Sequence, residues 1–178
     1  MRDEVEATEM TIRLARGMYT PAVFVIGLFV GAAAMAVGAQ SGGITGNNGV
    51  NHVGIVVDNM DEAIATYGKT FGFSEAAVLR DDKGQTTLAF IHVNRNTFIE
   101  LSPSSPTRLA GLDHFGIQVE DAKVATAELK QRGVKIEEPR AGRTVSFITS
   151  TTDPVGVRME LSELRANSML GKSMTAWK

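Results

Sequence analysis

Residues 51–73, NHVGIVVDNMDEAIATYGKTFGF, and residues 113–135, DHFGIQVEDAKVATAELKQRGVK, are one phrase written twice. His52 matches His114, Gly54 matches Gly116, Ile55 matches Ile117, Val57 matches Val119, Ala63 matches Ala125 and Tyr67 matches Leu129, all at an offset of 62. Such a repeat decides the architecture, because each copy is a supersecondary unit that cannot bury its apolar face alone. Each phrase opens with alternation. Val53, Ile55 and Val57 point to one side and His52, Gly54 and Val56 to the other; Phe115, Ile117 and Val119 likewise oppose His114, Gly116 and Gln118. Period two marks a strand with one packed face.

A helix is predicted after each strand. Asn59 is a good N-cap with Glu62 three residues on, and Asp121 is the second cap. Ile64, Tyr67 and Phe71 make the buried stripe of the first helix, and Ala125 and Leu129 lie on that of the second. Gly72 and Gly133 supply the stops. Further strands are predicted over residues 74–80, 86–93 and 97–102, then 134–138, 144–149 and 157–163, with turns at Asp81 to Gly84 and Asn94 to Asn96. The expected fold class is α+β: two βαβββ modules in tandem, residues 50–102 and 112–164, forming a paired-sheet cleft. In the tail, residues 165–178, Leu170, Met174 and Trp177 recur at helical spacing. They predict a short amphipathic helix docked on the domain or on a dimer mate.

Ahead of the repeat, residues 21–39 read PAVFVIGLFVGAAAMAVGA without a charge, behind Arg13 and Arg16 and before polar Gln40. This is the layout of a signal peptide cut after Ala39. A run of that length also spans a bilayer once, so an uncleaved anchor is the other reading. Residues 40–49 read as a Gly/Asn/Ser linker. The domain beyond is expected to be secreted or periplasmic, touching the membrane only through the N-terminal segment if that is retained.

Composition narrows the chemistry. In 178 residues, 43% hydrophobic and 21% charged, a mainly disordered chain is excluded. Eighteen Lys+Arg against twenty Asp+Glu give −2, which leaves no basic excess for nucleic acid. Cysteine is absent, which rules out disulfides, thiolate nucleophiles, iron–sulfur clusters and zinc-finger chemistry.

Two of the three histidines, His52 and His114, hold equivalent places on first strands, opposite the helix-packing residues. The last strands end in similar phrases, FIEL over 98–101 and RMEL over 158–161. Ile99 and Leu101 must face the core, so Glu100 faces away; Met159 and Leu161 place Glu160 likewise. Two imidazoles and two carboxylates on one cleft face suit a divalent Zn, Ni, Co, Mn or Fe(II) ion. Arg158, two residues before Glu160, is placed to pair with an anionic substrate or with Glu160 itself, or to stay solvated. His92 reads as a rim or surface strand residue.

The phrases over 51–73, TLAFIHVNRNTFIEL, the second copy and TDPVGVRMELSEL resemble the vicinal oxygen chelate superfamily, which includes glyoxalase I, methylmalonyl-CoA epimerase, extradiol dioxygenases, fosfomycin-resistance enzymes and bleomycin-binding proteins. The resemblance runs from Asn51 to about Leu164 and implies a glyoxalase-like fold. It places the glyoxalase I metal ligands on His52, Glu100, His114 and Glu160, with Glu160 as general base. The chain departs from glyoxalase I, with Val56 where that enzyme has a glutathione-gripping arginine and Ser104 where it has an asparagine. It departs from the epimerases in reading Ser150-Thr151-Thr152-Asp153 for a His-Pro-Lys phrase. Glu100 stands against the extradiol pattern, which lacks that carboxylate.

The reading is an exported, metal-dependent lyase or isomerase that abstracts a proton from a small oxygenated substrate and acts as a homodimer. Its alternatives are a binding or sequestering protein without catalysis and an Fe(II) ring-cleaving dioxygenase. If the signal is cleaved, N-terminal sequencing of the fractionated protein will find Gln40 first.

Overall fold

The computed structural model describes residues 42–178, and residues 44–178 form one compact unit. The expected export segment, residues 1–39, lies outside the described residues. The elements run β1 (Asn47–Val57), α1 (Met60–Phe71), β2 (Ser74–Arg80), β3 (Thr86–Asn94), β4 (Thr97–Pro103), β5 (Gly111–Val119), α2 (Ala122–Gln131), β6 (Arg140–Ala141), β7 (Phe147–Thr152), β8 (Arg158–Glu163) and α3 (Met169–Ala176). The two βαβββ modules share one curled, mixed eight-stranded sheet of order β2-β3-β4-β1-β5-β8-β7-β6. β1 lies parallel to β4 and β5 parallel to β8, while β1 and β5 meet antiparallel at the seam. Both modules therefore pair within one chain.

Local chemistry sets the helix boundaries. Asn59 Oδ1 accepts the Glu62 N–H at 3.2 Å, and Asp121 Oδ1 accepts those of Lys123 and Val124 at 2.8 and 3.0 Å. Gly72, at φ +71°, takes the left-handed turn that ends α1. α1 covers one face of the first module over Met60, Ala89, Ile91 and Leu101, and α2 covers the second over Val119, Ala125, Leu129 and Leu161. The opposite face of the first module is closed too. There Ala77, Leu88, Phe90 and Phe98 pack on Leu170 of α3. The same face of the second module carries Ile148, Ser150, Arg158 and Glu160 and lines a cleft of about 470 Å³.

Several sequence expectations are corrected. Residues 134–138 are not a strand; the sixth strand is only Arg140–Ala141. Thr149 and Thr151 of β7 donate their hydroxyls to the carbonyls of Glu137 and Lys135 at 2.6 and 2.7 Å, so side chains meet acceptors that a ladder would otherwise use. Pro139 has no N–H to extend one. The seventh strand begins at Phe147, three residues later than expected. The expected linker ends early, because β1 starts at Asn47 and Glu120 donates to the Gly46 carbonyl at 3.0 Å. Phe71 is 59% exposed and stacks on Phe73, so it leaves the stripe that Ile64 and Tyr67 keep.

His92 is likewise no rim residue: it is 2% exposed. Its Nε2 pairs with Ser173 Oγ at 2.6 Å, and Trp177 lies 4.6 Å from its ring. The strand pattern was right, but α3 covers the face. Ser168 caps that helix by accepting the Gly171 N–H at 3.0 Å. Leu170→Ala is expected to destabilise the domain by about 2–4 kcal/mol, read as a lower midpoint in chemical denaturation.

Candidate metal centre and its cleft

The register of the four central strands builds the site. Across β4, β1, β5 and β8, one row reads Glu100, Gly54, His114, Arg158, and the next reads Phe98, His52, Gly116, Glu160. The repeat relates the rows: one read forwards matches the other read backwards, with Arg158 in the place of Phe98. Each histidine thus faces a glycine on the neighbouring strand, and space is the reason. A Cβ on Gly54 would lie 2.1 Å from the His114 ring, and one on Gly116 would lie 1.9 Å from that of His52. Only bare backbone lets each imidazole lie across the seam.

With the rings laid over, their Nε2 atoms come within 3.0 Å of each other. Glu100 Oε2 is 3.6 Å from both. His52, Glu100 and His114 each offer a ligand atom, all within 4.8 Å of one another. The far side of each ring is held as well. His52 Nδ1 donates to Asn51 Oδ1 at 2.9 Å, and His114 Nδ1 donates to Asp113 Oδ2 at 2.7 Å. Those acceptors place the ring protons on Nδ1 and leave Nε2 as the free base. Two facing lone pairs beside a carboxylate repel one another unless a proton or a metal ion lies among them. The donor set therefore fits a divalent transition metal.

Glu160 borders this group. Its Oε1 is 3.8 Å from His52 Nε2 and accepts the Ser162 hydroxyl at 2.9 Å. Arg158 turns to Asp113, with Nη2 2.6 Å from Oδ2; it also lies 2.7 Å from His114 Nδ1 and 3.7 Å from Glu160 Oε2. Arg108 holds Asp113 from the other side, with Nη2 at 2.9 Å. Sequence reasoning passed over Asn51, Asp113 and the two glycines. The signal was present, since Asn51 and Asp113 keep the offset of 62 and each precedes its histidine.

Burial separates the protonation states. Loss of solvent pushes the His52 imidazole down to about 4, with Glu100 opposing. Burial also works to raise Glu100, but contact with His114 and the positive fields of His52 and Arg158 outweigh it and hold the carboxyl below its ordinary value. His114 loses solvent too, yet Glu100 and Asp113 hold its pKa above the usual imidazole value. Glu160 is raised by burial and by repulsion from Glu100. Hydrogen bonds from Arg108 first, and then from Arg158 and His114, hold Asp113 well below the carboxylate range.

Residues 51–149 match the family model described as Glyoxalase/Bleomycin resistance protein/Dioxygenase superfamily. The chain belongs to that superfamily. Its fold recurs in methylmalonyl-CoA epimerase from Mycobacterium tuberculosis, at 26% identity over 70% of this chain and 93% of that one, with a TM-score of 0.58. A Streptomyces coelicolor methylmalonyl-CoA epimerase variant in complex with 2-nitronate-propionyl-CoA aligns at 24% identity over 67% and 97%, TM-score 0.53. A hypothetical protein of Bacillus halodurans C-125 aligns at 22% over 65% and 94%, TM-score 0.54. No curated protein matches the sequence.

Within this vicinal oxygen chelate domain the glycines make a sharp test. Gly116→Ala is expected to leave the far-ultraviolet spectrum of the sheet unchanged and to weaken Co(II) binding about 10–100-fold, followed by the visible absorption of the bound ion.

Proposed function

We propose that the chain is a metal-dependent lyase or isomerase that takes a proton from carbon beside a carbonyl in a small oxygenated molecule. The convergence of His52, Glu100 and His114 at one buried point, with Glu100 also lining the cleft, carries this reading. These three residues would hold the ion, with Glu160 as fourth ligand. A divalent cation bound there supplies Lewis acidity, polarising the carbonyl oxygen and offsetting the negative charge that develops on it.

The chain's own residues do the rest. Glu160 is the base. Ser162 donates to its Oε1, and Oε2, 3.7 Å from Arg158 Nη1, is the atom assigned to receive the proton. Its 8% exposure and the neighbouring walls of Leu88 and Phe90 keep bulk water from competing for that proton. Asn51 and Asp113 keep both rings in register through Nδ1. The relation to the M. tuberculosis protein, whose name is that of an isomerase, favours proton transfer at carbon over ring cleavage. We propose further that the domain is exported by its N-terminal segment, to the periplasm or beyond, and that it works as a homodimer.

Metal analysis of protein purified without chelator is expected to give one divalent ion per chain, lost in His52→Ala and in Glu100→Gln. A panel of α-hydroxy and α-keto compounds in D2O should then reveal a substrate whose α-proton exchanges. Glu160→Gln should slow that exchange about 10²–10⁴-fold. A metal-free cleft that still binds a small molecule would make the protein a sequestering one, and oxygen uptake with Fe(II) would make it a dioxygenase.

A further inference from the structure

Four arginines line the cleft beside the candidate metal centre: Arg158 on β8, Arg108 on the link between the modules, and Arg140 and Arg143 where β6 turns back toward β7. Their partners differ. Arg108 and Arg158 share Asp113, and Arg158 also lies 3.7 Å from Glu160. Arg143 donates to the carbonyl of Thr87 at 3.0 Å and to its hydroxyl, neutral acceptors that leave its charge uncompensated. Arg140 makes no ion pair and no side-chain hydrogen bond among the described residues.

The carboxylates of the same cleft are Glu100, Asp113, Glu137 and Glu160, four against four. Glu100 is turned to the histidines and Asp113 to Arg108 and Arg158, while Glu137 lines the cleft without an ion pair to either outer arginine. With a divalent ion held by the histidine set, the cleft as a whole becomes doubly positive. The first module gives the cleft Leu88, Phe90 and Glu100 but no cation. There Phe98 stands in the place of Arg158 and packs with Leu170 of α3.

We infer that the substrate is an anion, with a carboxylate or phosphate monoester tail that Arg140 and Arg143 bind at the cleft mouth while its oxygenated carbons reach the histidine set. This rests on the metal-dependent reading of the site and adds the substrate class. Guanidinium N–H donors suit either oxyanion, and those of Arg140 are not engaged by a side chain.

The test uses the full chain loaded with Co(II) and three probes: neutral hydroxyacetone, hydroxyacetone phosphate and 5-hydroxylevulinate, compared by calorimetry at fixed ionic strength. At least one anionic probe should bind tenfold or more tighter than the neutral one, and the tighter of the two names the tail. Arg140→Gln, at an exposed position, should cut that preference severalfold and leave the cobalt absorption unchanged. Equal affinity for all three probes overturns the inference, and so does a preference that survives Arg140→Gln. Failure to take up cobalt is instead a failure of the metal reading. The same series on metal-free protein then judges the arginines alone: an anion preference removed by Arg140→Gln upholds them, and its absence overturns them.

Discussion

The site depends on two imidazoles lying across two glycines. At the β1–β5 seam each histidine reaches over the backbone of the other module's first strand, and a single methyl group on either glycine would occupy the space of the ring. That constraint ties fold to chemistry. The antiparallel register that joins the modules is also what aims both Nε2 atoms at one point. A shift of one residue would turn every cleft side chain into the layer under the helices.

On this symmetric frame the two halves have been made unlike. The residue before each histidine holds its Nδ1, but it is neutral Asn51 in one half and anionic Asp113 in the other. Asp113 then recruits Arg108 and Arg158, while the counterpart of Arg158 is Phe98, packed beneath α3. In the first half α3 packs on the concave face, and the cleft opens between Leu88, Phe90 and Glu100 of that half and the charged strands of the other. A duplicated sheet with two equal openings would admit a ligand in either sense; this one has a closed apolar end and an open charged end.

The family relationship constrains the frame more than the reaction. On the resemblance, Val56, Ser104 and the Ser150 to Asp153 stretch depart from the glyoxalase I and epimerase patterns, and one wall of the cleft is the short β6–β7 region. There the backbone departs from a regular strand, because threonine hydroxyls from β7 satisfy its carbonyls. The cleft wall is thus built from the part of the sheet least bound by ladder geometry.

The repeat, the strand alternation and the helix caps were legible in the sequence, because each depends on residues a few positions apart: Asn59 with Glu62, His52 with Gly54 and Val56. The offset of 62 was enough to pair His52 with His114, and alternation with Ile99, Leu101, Met159 and Leu161 put Glu100 and Glu160, 60 apart, on the same face. Alternation says which side of a sheet a residue takes. It does not say what covers that side, so His92, expected at the rim, is instead buried beneath α3. Nor does it set the distance between rings, the turn of Arg158 to Asp113 or the clustering of Arg140 and Arg143 with Glu100 in one cleft. Those come from cross-strand register and from a helix more than seventy residues away along the chain, long-range packing that only the assembled tertiary structure decides.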